Sequence, residues 1–165
     1  MRPPSSAIVG LTDPIKFTGD FEAFRPSPDR APPTILQILP ALVSGGVERG
    51  TIEIVQALTS AGWRALVVSS GGPMVREVER AGGEHLSLPV HAKAPWRWRS
   101  NIDALTRIVK ERAVDLIHAR SRMPAWIALA ARGRTETPLV TTFHGRHPDT
   151  NPAKKIYNSV LTKGD

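Results

Sequence analysis

Cysteine is absent from the 165 residues. That excludes disulfides, thiolate zinc sites and a cysteine nucleophile, and it fits a reducing compartment. Aromatic residues are sparse, at 5%. No uninterrupted apolar run approaches the roughly 18–20 residues that a transmembrane helix needs. The opening residues Met1–Ser6 show no apolar h-region, which speaks against a secretory signal. Neither a GxGxxG nor a GxxxxGK[ST] pattern occurs, so dinucleotide and P-loop sites are disfavoured. GxSxG and HExxH are missing as well. What remains is a composition of globular type, 41% hydrophobic and 22% charged, which argues against global disorder.

The formal net charge is +7, and it is localised. Residues 91–134 carry ten basic and three acidic side chains, whereas the remainder of the chain is close to neutral. A basic surface of this kind either is a solvated face or meets an anionic partner such as phosphate, nucleic acid or anionic lipid.

Residues 1–33 read as a flexible leader, with seven of the fifteen prolines, each removing a backbone donor and interrupting helices and ladders. From Thr34 apolar strand runs alternate with helical periodicity. Strands are expected at 34–39, 65–69, 85–90, 114–118 and 139–143. Helices are expected from Val47 to the stop at Gly62, from Pro73 to Gly82-Gly83, from Ser100 onward, from Met123 to Ala131, and over 153–161. Ser100 is expected to cap the third helix, with Asp103 completing a capping box, and His91–Arg99 to be the loop before it. Alternation of this kind gives a parallel sheet covered on both faces: an α/β, Rossmann-like, doubly wound domain over 34–165. A strand should follow the last helix and none does, so the domain reads as cut off.

In an open parallel sheet ligands bind beyond the carboxyl ends of the strands, and three sequence features fall there. Ser44-Gly45-Gly46 follows the first strand; it is either a plain tight turn or a close-approach loop whose helix N-terminus offers N–H groups to an anion. His118-Ala119-Arg120-Ser121-Arg122 follows the fourth, where arginine and serine could hold phosphate or a sugar hydroxyl, or simply be surface charge. His144-Gly145 follows the fifth, where an imidazole could hydrogen-bond or shuttle a proton, or be structural. His144 and His147 lack a third ligand at useful spacing, so no metal is expected. Asp115, expected inside a strand, and Glu48, at a helix start, form no carboxylate pair.

The stretch Lys93-Ala94-Pro95-Trp96-Arg97-Trp98-Arg99 interleaves tryptophan with arginine. Such side chains suit a membrane interface or base stacking, or one tryptophan packs on the domain while the arginines stay solvated. No nucleic-acid-binding module is recognisable, and an anionic membrane surface suits the neighbouring basic helix better.

Read together, the strand-end motifs resemble one family. Ile38-Leu-Pro-Ala-Leu-Val-Ser-Gly-Gly-Val-Glu-Arg-Gly50 resembles the first βα unit of family 4 glycosyltransferases. Asp115-Leu-Ile-His-Ala-Arg-Ser-Arg-Met-Pro-Ala-Trp126 resembles that family's fourth-strand motif, and Thr141-Thr-Phe-His-Gly145 its fifth. The resemblance runs from about Thr34 onward and implies the N-terminal, acceptor-side half of a GT-B fold. It implies sugar transfer from a nucleotide-sugar co-substrate to an acceptor hydroxyl, without a bound metal, in lipopolysaccharide or other envelope glycan synthesis. The absence of a DxD triplet agrees with that. Gly45 and Gly46 would approach the transferred sugar and diphosphate, with Glu48 at the helix start. His118, Arg120 and Ser121 would line the acceptor side, and His144 with Gly145 would reach toward the sugar, His144 being the candidate catalytic residue. Lys93, Trp96, Arg97, Trp98 and Arg99 are the candidate membrane or anion contacts.

The family's donor-side lysine, arginine and glutamate have no counterpart in these residues. The chain alone is therefore expected to be inactive, with a donor-binding domain on another chain as one partner and a glycan or glycolipid acceptor as another. The expected location is the cytoplasm, peripherally at the cytoplasmic membrane face. The alternatives are a stand-alone anion- or membrane-binding module and a truncated, non-catalytic product.

Overall fold

The computed structural model describes residues 31–91, 95–142, 144 and 151–165. Strand β1 (Thr34–Ile38) is buried at every position, as a strand covered on both sheet faces must be. Its neighbours are β2 (Arg64–Ser69) and β4 (Leu116–Ala119); β3 (Glu84–Ser87) lies outside β2, and β5 (Leu139–Thr141) outside β4. All pairings are parallel, so each connection must be a crossover. Helices α1 (Gly46–Ser60), α2 (Val75–Arg80), α3 (Pro95–Glu111) and α4 (Arg122–Thr135) supply these connections. Helix α5 (Pro152–Asn158) and a 3-10 turn over Ser159–Thr162 follow β5.

Successive side chains of a strand point to opposite faces, and two cores result. Leu36, Ile38, Leu66, Val68, Ile117 and Ala119 pack with Leu105 and Val109 of α3 and Ile127 and Ala128 of α4. Ala65 and Val67 pack on the other face with Val55 of α1 and Val78 of α2. Full burial of each such Leu, Ile or Val stabilises by roughly 1.5–3 kcal/mol. The sheet is therefore doubly wound, as the sequence pattern predicts.

The strand order is β3-β2-β1-β4-β5. After β1 the chain winds outward through β2 and β3, then crosses back to β4. The loops leaving β1 and β4 diverge at this reversal, and their divergence opens a crevice at the strand carboxyl ends. Because every helix in the crossovers starts where a strand ends, the N-termini of α1, α3 and α4 lie along this same edge.

Four expectations need correction. Trp96, Arg97, Trp98 and Arg99 belong to α3, which starts at Pro95, not to a loop. Proline has the fixed φ that a first helical turn requires, and the helix extends backward from its apolar stripe through the tryptophans. Ser100 therefore lies inside the helix and caps nothing, while Asp103 pairs with Arg134 of α4 at 2.5 Å. Strand β3 stops at Ser87 because Pro89 cannot donate to a ladder; the Pro89 carbonyl instead accepts from Asn101 Nδ2 at 2.8 Å. Asp115 precedes β4, and its carboxylate accepts the Thr34 N–H at 2.8 Å, tying the starts of β1 and β4 together.

Beyond β5, the Asp165 N–H donates to Leu139 O at 2.8 Å, and the Leu139 N–H donates to Asp165 Oδ2 at 2.9 Å. The last residues thus lie along the outer edge of β5. The leader expected over 1–33 lies almost wholly outside the described residues.

Candidate functional site

A cleft of about 210 Å³ occupies the crevice between β1, β4 and β5. Its walls come from Pro40 after β1, Val47 and Glu48 at the start of α1, Arg120 and Ser121 between β4 and α4, Arg122 at the start of α4, Thr142 and His144 after β5, and Leu161 of the final turn. Four of the residues expected at the site, Glu48, Arg120, Ser121 and His144, therefore meet here from three separate segments of the sequence.

Gly45 and Gly46 form the exposed lip where α1 begins. Gly45 has φ of 135°, a conformation open to glycine, and a Cβ there would come within 2.8 Å of Glu48 Oε2. The Glu48 carboxylate thus folds over the first turn of α1, where the helix dipole favours negative charge. On the opposite wall Ser121 is the extended N-cap residue of α4, and its hydroxyl makes no capping hydrogen bond.

Arg120 is the most buried of the charged groups, at 6% exposure. Its Nη1 donates to Gln37 Oε1 at 3.0 Å, and Gln37 Nε2 donates to Thr51 O of α1 at 3.0 Å. Burial works against the charged guanidinium and lowers its pKa, with Glu53 opposing. Its Nε has no hydrogen-bond partner among the described residues.

His118 pairs across the sheet with Gln37 of β1 and lies half-buried one step below the cleft. Its Nε2 and Thr142 Oγ1 share a hydrogen bond of 2.5 Å. Burial, followed by the positive fields of Arg120 and His144, brings its pKa down to about 4. His144 is exposed, yet the cleft walls partly desolvate it. That desolvation and Arg120 lower its pKa, and Glu48 acts in the other direction. At neutral pH the site therefore offers two uncharged imidazoles beside a permanent cation: groups that can donate to and accept from hydroxyls next to one that favours negative charge.

Gly145 and Lys93 lie outside the described residues. Trp96, Arg97, Trp98 and Arg99 are on α3, outside this cleft; Trp96 is 75% and Trp98 41% exposed. Among the described residues no group of three or more His, Cys, Asp or Glu could hold a metal ion. None of their helices is long and apolar enough to cross a membrane. Sequence reasoning missed Gln37, Thr51 and Thr142. Gln37 did leave a signal, as the one amide within the buried run Thr34–Ile38; Thr142 stands inside the Thr141–Gly145 motif, which does not single it out.

The family described as Glycosyltransferase Family 4 matches residues 44–164. A solved glycosyltransferase from Rickettsia africae ESF-5 is 40% identical, with 81% of this chain and 35% of that one covered and a TM-score of 0.70. Anabaena HepE, solved in complex with UDP-glucose, is 18% identical over 79% of this chain and 35% of its own, with a TM-score of 0.59, a likeness of fold. The chain thus spans about a third of the length of these solved proteins. No curated protein matches it.

Proposed function

The chain belongs to glycosyltransferase family 4, and from that premise we propose that its cleft is the acceptor side of a nucleotide-sugar transferase. Residues 34–165 would form the acceptor-side domain, and the donor would be held by a domain these residues do not contain. The observation that carries this reading is the convergence of Glu48, Arg120, Ser121 and His144 on one cleft at the sheet's reversal point.

In the reaction the acceptor oxygen bonds to the anomeric carbon, the bond from that carbon to the diphosphate oxygen breaks, and the hydroxyl proton is released. Neutral His144 suits hydrogen bonding to a sugar or acceptor hydroxyl, and Ser121 adds a second such group. The N–H groups of the α1 N-terminus at Gly45-Gly46 and the Arg120 charge favour a nearby diphosphate. A nucleotide sugar such as the UDP-glucose bound by HepE is the expected co-substrate, with an envelope glycan or glycolipid, lipopolysaccharide included, as acceptor. Cytoplasmic placement follows from where nucleotide sugars would be supplied.

The test is transfer and binding with the purified chain. The expected result is no sugar transfer from UDP-glucose by the chain alone, together with acceptor-dependent NMR shifts at His118, Ser121 and His144. Turnover without a second domain, or acceptor shifts confined to other surfaces, would overturn the proposal.

A second reading is favoured by the exposure of Trp96 and Trp98 on α3 beside exposed Arg97 and Arg99. This face would dock on an anionic membrane. It begins at the same sheet edge as the cleft, so docking would bring the cleft near a lipid-linked acceptor. Co-sedimentation with vesicles that is indifferent to anionic lipid would remove it.

A further inference from the structure

We infer that Gln37 is a positioning residue: with Gly50 it brackets the Arg120 guanidinium beneath the cleft, so that the site carries a cation fixed in place. Its bearing on sugar transfer rests on the acceptor-side reading; the bracket itself does not.

The bracket has two sides. Gln37 is fully buried in the central strand, on the α1 face of the sheet, opposite to the face that Leu36 and Ile38 cover. A buried amide is costly unless both of its ends are hydrogen-bonded. Here the oxygen accepts from Arg120 Nη1 and the nitrogen donates to Thr51 O, each at 3.0 Å. One side chain thereby links β1, the end of β4 and helix α1. Leucine or valine would fill such a strand position at no polar cost, so the amide is explained by what it holds.

Gly50 forms the other side. A Cβ there would lie 2.9 Å from Arg120 Nη2, 3.8 Å from Cζ and 3.9 Å from Nη1. Three guanidinium atoms within 4 Å of one point mean that the group runs close along the helix where a methyl would stand. Glycine inside a helix costs about 1 kcal/mol relative to alanine, and here its gain is room for the arginine.

The charged and titratable groups around this cation are Glu53, which faces Arg120 from α1, His118 and His144, which lie in its field, and Glu48, which faces His144. Thr142 holds His118. A cation pinned at this point disfavours protonation of both imidazoles, and they remain hydrogen-bonding groups at neutral pH. A mobile arginine would be free to turn toward solvent or pair with Glu53, and the imidazoles would regain basicity.

The experiment is an NMR titration of the histidines in the whole chain, Met1–Asp165, without substrate. Gln37→Leu removes one side of the bracket, and Gly50→Ala closes the space on the other. Both variants are expected to raise the midpoint of His118 above its value of about 4 and to move that of His144 in the same direction, while the part of each shift that burial causes stays. His85, which is hydrogen-bonded to Ser69 and feels Glu79 at the β3 edge of the sheet, should not move. Gln37→Leu combined with Arg120→Met should shift the two imidazoles no further than Arg120→Met alone. Lower thermal stability with unchanged His118 and His144 midpoints would overturn the inference, since Gln37 would then serve packing only. A shift shared by His85 would overturn it too, as general loosening. If Gln37→Leu does not fold, Gly50→Ala against Arg120→Met makes the same comparison. Because no sugar or acceptor is present, failure here is distinct from failure of the transferase reading.

Discussion

Arg120 and Arg99 come from the same basic stretch of sequence and meet opposite surroundings. Arg120 is 6% exposed, bonded to a buried amide and seated on a glycine. Arg99 is exposed on the first turns of α3, beside tryptophans that are exposed with it. Water and salt screen a charge at the surface, so its effect is weak at any one point and useful mainly in sum. A charge taken out of water must be matched atom by atom, and it then acts strongly on its neighbours. One segment's positive charge therefore serves two purposes: shaping a cleft from below and giving an outer face its sign.

The sharpest way to break this contrast is to truncate each arginine. Arg120→Ala leaves Gln37 with an unpaired oxygen and a void against Gly50, and should cost roughly 3 kcal/mol in urea unfolding. Arg99→Ala should stay within about 0.5 kcal/mol. Equal costs would abolish the distinction. The next effect reverses the ranking. Replacing Arg97 and Arg99 together by glutamine should weaken binding to anionic vesicles about thirtyfold, from roughly 1 kcal/mol per arginine, while Arg120→Met leaves vesicle binding unchanged. The smallest effect concerns acid. The His118 pKa lies at about 4 in the folded protein, below the ordinary 6.5. The unfolded chain therefore binds more protons between these values. Stability from the neutral imidazole is complete above about pH 6.5 and is lost as pH falls toward 4. Because His118 is partly solvated, the loss should not exceed about 1 kcal/mol. His118→Asn should flatten this limb in melting curves recorded from pH 7 to 4.5, and an unchanged limb would show that His118 does not carry it.

Much of the fold was legible because burial imposes a period. Every residue of Thr34–Ile38 is buried, and so the strand reads as a short, mostly apolar run interrupted by Gln37; α1 reads as an amphipathic stripe that stops near Gly62. Boundaries were less legible where two local signals competed. At α3, Ser100 and Asp103 imitate a capping box, but Pro95 starts the helix earlier and Asp103 is drawn to Arg134. At β3, a run that looks extended to Val90 loses its ladder ahead of Pro89.

The site was legible as residue types at strand ends. Glycine pairs, arginines and histidines at these places are chemically suggestive whatever lies between them. Their partners were not legible. Gln37 and Arg120 are 83 residues apart and share one hydrogen bond, and no local pattern specifies a bond at that separation. Gly50 reads as a weak helix residue until the guanidinium beside it is seen.

By itself the sequence determined an alternation of strands and helices, a parallel sheet with two covered faces, the placing of its candidate residues at one sheet edge, and the family. Hydrophobic periodicity and turn chemistry are local, and they survive in a one-dimensional reading. Only the tertiary structure decided that Arg120 is buried while Arg97 and Arg99 are not, that Gln37 and Gly50 hold it, and that His118 and His144 share its field. Burial, hydrogen-bond partnership and electrostatic neighbourhood depend on which distant segments meet, and these are fixed when the sheet closes its order around β1 and β4.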